Sequence, residues 1–255
     1  MRLQKSITMY DALVALYKAK QTTDDAERME FLKEYIRLKG EAEMKMRKAK
    51  APSEKMSKII IYGGAMSGKT TLAAKIAKID DNIAFISTDG NAYRQGYIAG
   101  DVEYKGVLET SQDIADTIKS LVGKVEYIAF DLIEGIEDAM RANFIKTNLS
   151  ESKGAQISPN QWGQIGAFYV LLAEVLMHYQ DNFTYIFISR ENERFTKDGK
   201  TSLGLEPALR DLPAKEIMPD VDLKIHASNW GGDIEYDIIA KRNVPEQLIK
   251  LIEGE

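Results

Sequence analysis

The strongest chemical signal in the sequence is one short run of glycines followed by a lysine and threonines. The run fits the pattern G-x-x-x-x-G-K-[ST], comes directly after the apolar stretch 59–62 and precedes a helical pattern. Glycines at its ends let successive backbone N–H groups turn toward phosphate oxygens, and the helix adds its positive N-terminus. In such a loop the lysine reaches the terminal phosphates and the first threonine ligates magnesium. We therefore expect a nucleoside triphosphate, ATP with Mg²⁺, to bind at Gly63, Gly64, Ala65, Met66, Ser67, Gly68, Lys69, Thr70 and Thr71.

A second acid for this site stands at the end of another apolar run. Residues Val125–Asp131 are apolar except for Glu126 and the closing Asp131. An aspartate at the carboxyl end of a parallel strand can hold magnesium through a water molecule. Thr70 and Asp131 are therefore the predicted metal residues. Glu134 is close by but lies beyond the predicted strand end, and the pattern gives it no catalytic role.

The elements around these motifs alternate between apolar runs and amphipathic helices, which predicts an α/β fold with a mainly parallel central sheet flanked by helices. The predicted strands are Lys58–Tyr62, Ile83–Ser87, Tyr127–Asp131 and Thr184–Ser189. The predicted helices are Thr70–Ile79, Ser111–Val122, Ile133–Asn148 and Gln161–Tyr179. A further strand is expected near Tyr104–Leu108, and a final pair at Asp222–His226 and Ile234–Ala240 joined through a glycine-rich turn.

The first part of the chain differs in charge from the rest. Residues 1–58 hold 14 Lys and Arg against 9 Asp and Glu, a net of +5, whereas the whole chain of 255 residues has a net charge of -5. Two helices are predicted there. The apolar face of the first includes Leu13 and Tyr17, and that of the second includes Met29 and Ile36. We predict a helical appendage and linker over 1–56 and the main domain over 57–255. The appendage is interpreted as a docked or oligomerisation arm, with contact to nucleic acid or a partner protein as the alternative.

Composition excludes several classes of chemistry. The chain has no Cys and two His, His178 and His226, so thiolate metal sites and cysteine nucleophiles are excluded and a histidine triad is disfavoured. The longest apolar stretch, 166–177, carries Glu174 and is too short to cross a bilayer. Because the first residues lack a secretory pattern, we expect a cytoplasmic protein without membrane contact. The acidic balance argues against a protein that coats nucleic acid through bulk charge.

Residues 57–245 resemble the RecA-like ATPase core through five segments in order: IIIYGGAMSGKTTLA, IAFISTDG, YIAFD, YIFISRE and IEYDIIAKRNVP. Within that group the chain is most similar to phage-encoded ATPases of single-strand annealing or recombination, whose second strand ends in a similar T-D-G. The resemblance implies a Mg-dependent ATPase in which Asp89 orients the attacking water and Ser189 senses the γ-phosphate. It also implies that Lys241 and Arg242 reach the nucleotide of a neighbouring subunit, and hence a homo-oligomer.

RecA-like proteins bind single-stranded DNA through two loops, and the resemblance implies candidates for both. The first is 148–156, and the second is 194–202, where cations flank one aromatic residue. The predicted DNA-binding residues are Arg194, Phe195, Lys197 and Lys200. Trp162 and Trp230 are expected to be packing residues.

Four functions fit these observations. The first is an oligomeric ATPase acting on single-stranded DNA in phage recombination or replication, which would place it in the host cytoplasm. The second is a helicase motor or helicase loader with the same core. The third is a small-molecule kinase whose lid is the arginine-bearing segment 190–210. The fourth is a nucleotide-binding assembly protein with little hydrolysis, which Met66 in the loop and Asp89 in place of Glu make reasonable.

Overall fold

The fold is taken from a computed structural model, which describes residues 9–22, 24–46, 56–77, 82–87, 98–101, 103–151, 154–196, 199–242 and 244–254. Asp89, Lys197 and the segment 47–55 lie outside these residues. The helices are α1 Met9–Gln21, α2 Asp25–Met46, α3 Lys69–Ile76, α4 Val107–Leu121, α5 Gly135–Ser150, α6 Pro159–His178, α7 Asp211–Ile217 and α8 Glu246–Glu253. The strands are β1 Lys58–Gly63, β2 Ile83–Ser87, β3 Ile98–Asp101, β4 Tyr127–Asp131, β5 Thr184–Phe195, β6 Ser202–Pro207, β7 Leu223–Trp230 and β8 Asp233–Lys241.

The described strands form one sheet in the order β3-β2-β4-β5-β1-β7-β8, with β6 paired to the outer part of β5. All neighbours from β3 to β7 are parallel, whereas β7 and β8 form the predicted antiparallel hairpin around Gly231 and Gly232. One strand, β5, separates β1 from β4. The residues that follow the buried part of β5 therefore lie between the phosphate loop and Asp131.

The sheet is buried on both faces, which explains why its strands are continuous apolar runs. Successive side chains point to opposite faces, so each strand contributes to two core layers. One layer packs under α4, α5 and α6, and its strand residues include Ile60, Ile86, Phe130 and Phe187. The other packs under α3 and α8, and its strand residues include Ile59, Phe85, Ile188 and Ile225. These layers confirm the predicted α/β class and hold the carboxyl ends of β1, β4 and β5 at one edge.

One predicted strand is wrong and two extend several residues beyond their predicted ends, one of them β7, which was expected to end at His226 but runs to Trp230. Tyr104–Leu108 is not a strand, because Gly106 precedes the first turn of α4 and the Lys105 backbone N–H donates to the Thr110 hydroxyl at 3.0 Å. The edge strand is instead β3, paired with β2. The strand predicted to stop at Ser189 continues to Phe195, because its outer half finds a partner in β6.

The predicted apolar faces of the N-terminal helices are only partly correct. The contact between α1 and α2 buries Ala12 and Ala15 of α1 against Leu38 of α2. Met29 and Ile36 are exposed, at 53% and 68%, so the face of α2 that packs on α1 is the one that carries Leu38 and not the predicted one. On its other side α1 packs Val14 and Tyr17 against the main core beside α6. The boundary at residue 56 stays a prediction. No described helix is both long and apolar enough to span a membrane.

Candidate nucleotide site

The phosphate loop is held between β1 and α3 by close backbone approaches. A Cβ on Gly63 would stand 1.9 Å from the Ala227 carbonyl oxygen of β7, so only glycine fits there. Gly68 is the N-cap of α3 in the left-handed conformation, with φ 77°. Met66, where many such loops carry another glycine, is also left-handed at φ 60° and is 88% exposed. The unusual residue therefore keeps the glycine-like backbone of the loop.

The Lys69 ammonium lies inside this loop. Its Nζ donates to the carbonyl oxygen of Gly63 at 2.9 Å and is within 3.4 Å of the Ser67 hydroxyl. Burial lowers the pKa of the Lys69 amine, and nearby carboxylates oppose that change. The cation is thus held where acidic side chains from three places in the fold converge, namely Asp131, Glu134 and Glu191.

The predicted metal residues are in direct contact. The Thr70 hydroxyl at the start of α3 donates to Asp131 Oδ2 at 3.0 Å, and Asp131 at the end of β4 is buried. A hydroxyl and a carboxylate oxygen side by side are hard ligands of the kind Mg²⁺ takes, and they leave its other positions to waters and phosphates. Among the described residues no group of three or more His, Asp or Glu side chains forms a metal site by itself. The donor set therefore fits a magnesium ion that arrives with a phosphorylated ligand.

Glu134 is a site residue that the sequence did not reveal. It is 7% exposed, and its Oε1 accepts a hydrogen bond from the Arg190 backbone N–H at 2.6 Å. Its Oε2 is buried and has no hydrogen-bond partner among the described residues. Burial raises the pKa of this carboxyl group, and the Arg190 N–H opposes the change. A buried carboxylate with one free oxygen and a raised pKa is suited to accept a proton.

A second residue missed in the sequence is Glu191 on β5. Its Oε2 lies 2.8 Å from His226 Nε2 on β7, and its Oε1 would be 3.2 Å from a Cβ on Gly64. The His226 ring in turn packs against Tyr62 at a centroid distance of 5.0 Å. The predicted strand ends at Ser189, so the sequence pattern does not assign Glu191 to the site. The pair places a carboxylate over the start of the phosphate loop and fixes its orientation.

Comparison with known proteins identifies the family of this chain. The family model of the AAA domain, AAA_24, matches residues 55–233. The chain belongs to this AAA domain family. Among solved structures, the domain is similar to the VirB11 ATPase of the Brucella suis type IV secretion system, crystallised with sulphate. The two are 17% identical with a TM-score of 0.30, over 95% of this chain and 61% of the VirB11 chain, so the match spans less than two thirds of VirB11. Comparison with curated proteins gave no match.

The AAA domain is therefore a P-loop ATPase domain with a mainly parallel sheet, as the motifs predicted. Two of the residues implied by the resemblance lie away from the phosphate loop of their own chain. Lys241 and Arg242 stand at the opposite edge of the sheet, because β8 runs antiparallel to β7. There Arg242 Nη2 pairs with Asp222 Oδ1 at 3.2 Å. Their role toward a neighbouring subunit stays a prediction, as does the role of Asp89.

Ser189 of the AAA domain is fully buried on β5, where it pairs with Tyr62 of β1. Its hydroxyl donates to the Arg190 carbonyl oxygen at 2.9 Å and accepts from the Ala208 N–H at 3.1 Å. The second of these bonds joins the base of the hairpin to the segment that follows β6. The sensor role of Ser189 stays a prediction, and any signal from it would pass through this hairpin base.

The β5–β6 hairpin carries the residues predicted to contact DNA. Arg194 Nε pairs with Glu206 at 3.1 Å, Phe195 is 50% exposed, and Lys200 is exposed at the hairpin end. Trp162 is partly buried against the core, as predicted. Trp230 is 73% exposed, so the prediction of a packing role is wrong. It lies at the end of the β7–β8 hairpin, beyond the last helix that covers the sheet.

Proposed function

We propose that this AAA domain binds ATP with magnesium and hydrolyses it, as a homo-oligomer that acts on single-stranded DNA in phage recombination or replication. The observation that carries the ATPase part of the proposal is the contact between Thr70 and Asp131 beside the Lys69 ammonium, whereas the DNA and oligomer parts rest on the RecA-like resemblance. A metal-ligating hydroxyl, its acidic partner and a phosphate-binding cation are brought together by α3, β4 and the phosphate loop. These are the parts that phosphoryl transfer requires.

Binding is assigned to the loop and to α3. Backbone N–H groups of Ala65 to Thr71 surround the phosphates at the N-terminus of α3, and Lys69 exchanges its loop carbonyls for phosphate oxygens. Thr70 and Asp131 would hold a magnesium ion, whose positive charge would offset the negative charge that phosphoryl transfer develops. Because Asp131 ends β4 whereas Lys69 begins α3, the metal and phosphate residues come together only in the folded domain.

Hydrolysis is assigned to Glu134. Its Oε2 accepts a proton from the attacking water as the water oxygen bonds to the γ-phosphorus. The bond between that phosphorus and the β,γ-bridging oxygen breaks, ADP leaves with the bridging oxygen, and the proton passes from Glu134 to the released phosphate. The Arg190 N–H holds Oε1, so the carboxylate keeps its orientation. Asp89 is the alternative base implied by the RecA-like resemblance.

The test is phosphate release by the wild-type chain and by Lys69→Ala, with and without EDTA, over a range of protein concentrations, and with single-stranded DNA at low and moderate salt. We expect turnover that needs magnesium and Lys69 and that rises with protein concentration and with DNA. Turnover unaffected by Lys69→Ala would refute the site. Tight ATP binding without turnover would favour the assembly protein, and strand unwinding would favour the helicase.

A further inference from the structure

A cavity of about 640 Å³ lies next to the nucleotide site, between α5, the base of the β5–β6 hairpin and the segment before α7. Four guanidinium groups line it, namely those of Arg141 on α5, Arg190 and Arg194 on β5, and Arg210 just before α7. Its volume is in the range of pockets that hold small molecules or parts of larger ones. None of the sequence motifs pointed to Arg141.

We propose that this arginine cavity binds the phosphodiester backbone of single-stranded nucleic acid, with Phe195 at its rim as a stacking platform for a base. The proposal rests on the proposed function, because it places the DNA partner of the ATPase on particular residues. Arginine is the side chain best suited to phosphate, since its planar fork offers several donors in fixed geometry.

The arginines are held in place from one side, which leaves donors for a ligand. Arg210 Nε pairs with Glu137 at 2.8 Å, and Arg190 Nη1 pairs with Asp138 at 3.2 Å. A guanidinium has five N–H donors, and one carboxylate can accept only part of them. Both side chains remain about half exposed, at 49% and 55%. These acids therefore position the cations without using up their hydrogen-bonding capacity.

A tryptophan fixes two of the four groups. The Arg210 guanidinium lies 4.6 Å from the centroid of the Trp162 ring, and that of Arg141 lies 5.7 Å from it. Stacking on an aromatic face orients the guanidinium plane and lowers the entropy lost when it binds a phosphate. The Nε of Arg141 is buried and has no hydrogen-bond partner among the described residues, so it is a donor in need of an acceptor.

The aromatic at the rim selects the kind of anion. Phe195 lines the cavity and is half exposed, on the same hairpin as Arg194. An exposed ring beside cations matches the way single strands are bound, with bases stacked on aromatics and the backbone on positive charge. A duplex keeps its bases paired and stacked, so it cannot offer one to Phe195. An acidic peptide would use the arginines but would gain little from the ring.

The cavity shares two residues with the nucleotide site. Glu134 and Arg190 line the cavity, and both also act electrostatically on Lys69. A nucleic-acid strand that displaces Arg190 would therefore also affect the Glu134 carboxylate, which accepts a hydrogen bond from the Arg190 backbone N–H. Coupling between two sites is reciprocal, so ATP and the strand should change each other's affinity.

The experiment measures fluorescence anisotropy of a labelled oligothymidylate of about 20 nucleotides, longer than one binding site covers. The variants are Arg210→Gln and Arg141→Gln, with Arg210→Lys to keep charge without the fork. The matched control is Arg37→Gln, since Arg37 is an exposed arginine paired with Glu34 on α2, remote in sequence from the cavity. For Arg210→Gln and Arg141→Gln we expect about a tenfold weaker Kd and a salt dependence reduced by about one unit of slope, whereas Arg210→Lys should weaken binding but keep the slope, and the control should show no change.

A second pair tests the stacking platform. Phe195→Ala should weaken oligothymidylate binding roughly tenfold and leave binding of inorganic tripolyphosphate unchanged. Leu203→Ala is its control, because Leu203 is an exposed apolar residue of the same hairpin that does not line the cavity. Equal losses in both variants would overturn the stacking role.

Further outcomes separate this inference from the proposed function. Oligothymidylate binding that is unchanged in Arg141→Gln and Arg210→Gln would overturn the cavity while the proposed DNA-dependent ATPase stands. Arginine-dependent binding in a chain without ATP turnover would support the cavity and refute the hydrolysis. Binding of polyglutamate that depends on the arginines, with no binding of oligothymidylate, would overturn the cavity as a nucleic-acid site.

Discussion

Replacing Glu134 by glutamine should lower activity and raise stability in the same variant. Glu134 is buried, one of its oxygens has no partner among the described residues, and burial raises its pKa. Glutamine keeps the carbonyl oxygen that accepts from the Arg190 N–H, but it cannot accept a proton from water. A positioned general base contributes about 10²–10⁴-fold, so we expect turnover to fall by at least about 100-fold while ATP affinity is kept.

The stability change has the opposite sign. Because the folded-state pKa of Glu134 lies above its ordinary value of 4.5, the ionised form opposes folding. Its destabilising effect is absent at pH below 4.5 and grows as pH rises through the raised pKa. Each tenfold difference in proton affinity corresponds to about 1.4 kcal/mol. Because glutamine removes this charge, we expect the Tm of Glu134→Gln to exceed that of the wild type at neutral pH and the difference to disappear below pH 4.5.

The assay compares phosphate release, labelled-ATP binding and thermal unfolding of the wild type and Glu134→Gln from pH 4 to 8, a range that brackets the ordinary carboxyl value. The wild-type rate should rise with pH through the raised pKa, and this rise should be missing from the residual activity of the variant. Glu174→Gln is the control, since burial also raises the pKa of Glu174, which lies on α6 and takes no part in the proposed step. Unchanged turnover in Glu134→Gln would refute the assignment, and a Tm that falls would refute the account of its burial.

Three other changes test separate parts of the molecule. Met66→Gly should raise the free energy of unfolding slightly or leave it unchanged, because the left-handed backbone costs methionine about 1 kcal/mol; a loss above that in chemical denaturation would contradict this. Asp222→Ala should lower it by about 3 kcal/mol, because this buried carboxylate accepts from the Ser57 N–H at 2.7 Å and pairs with Arg242; an unchanged denaturation midpoint would be contrary evidence. Arg242→Ala should reduce turnover more than ATP affinity if it acts on a neighbouring subunit, and mixing it with Lys69→Ala should restore some activity; no restoration argues against that role.

The sequence by itself determined the parts of the site that depend on the local backbone. The phosphate loop is readable because Gly63 and Gly68 meet constraints that other residues violate, a carbonyl 1.9 Å from a Cβ position and a left-handed N-cap. The core strands are readable because burial on both faces requires continuous apolar runs. The β7–β8 hairpin is readable because its two central glycines have positive φ.

The tertiary structure alone decided which charged side chains meet. The position of Glu134 depends on a hydrogen bond from Arg190, which is 56 residues away in the chain. Glu191 faces the loop only because β5 continues beyond the sheet to pair with β6, and strand propensity cannot foresee that partner. The arginine cavity likewise joins α5, β5 and the segment before α7. Local patterns fix backbone conformation, whereas the directions of polar side chains after a strand end are set by contacts between distant segments.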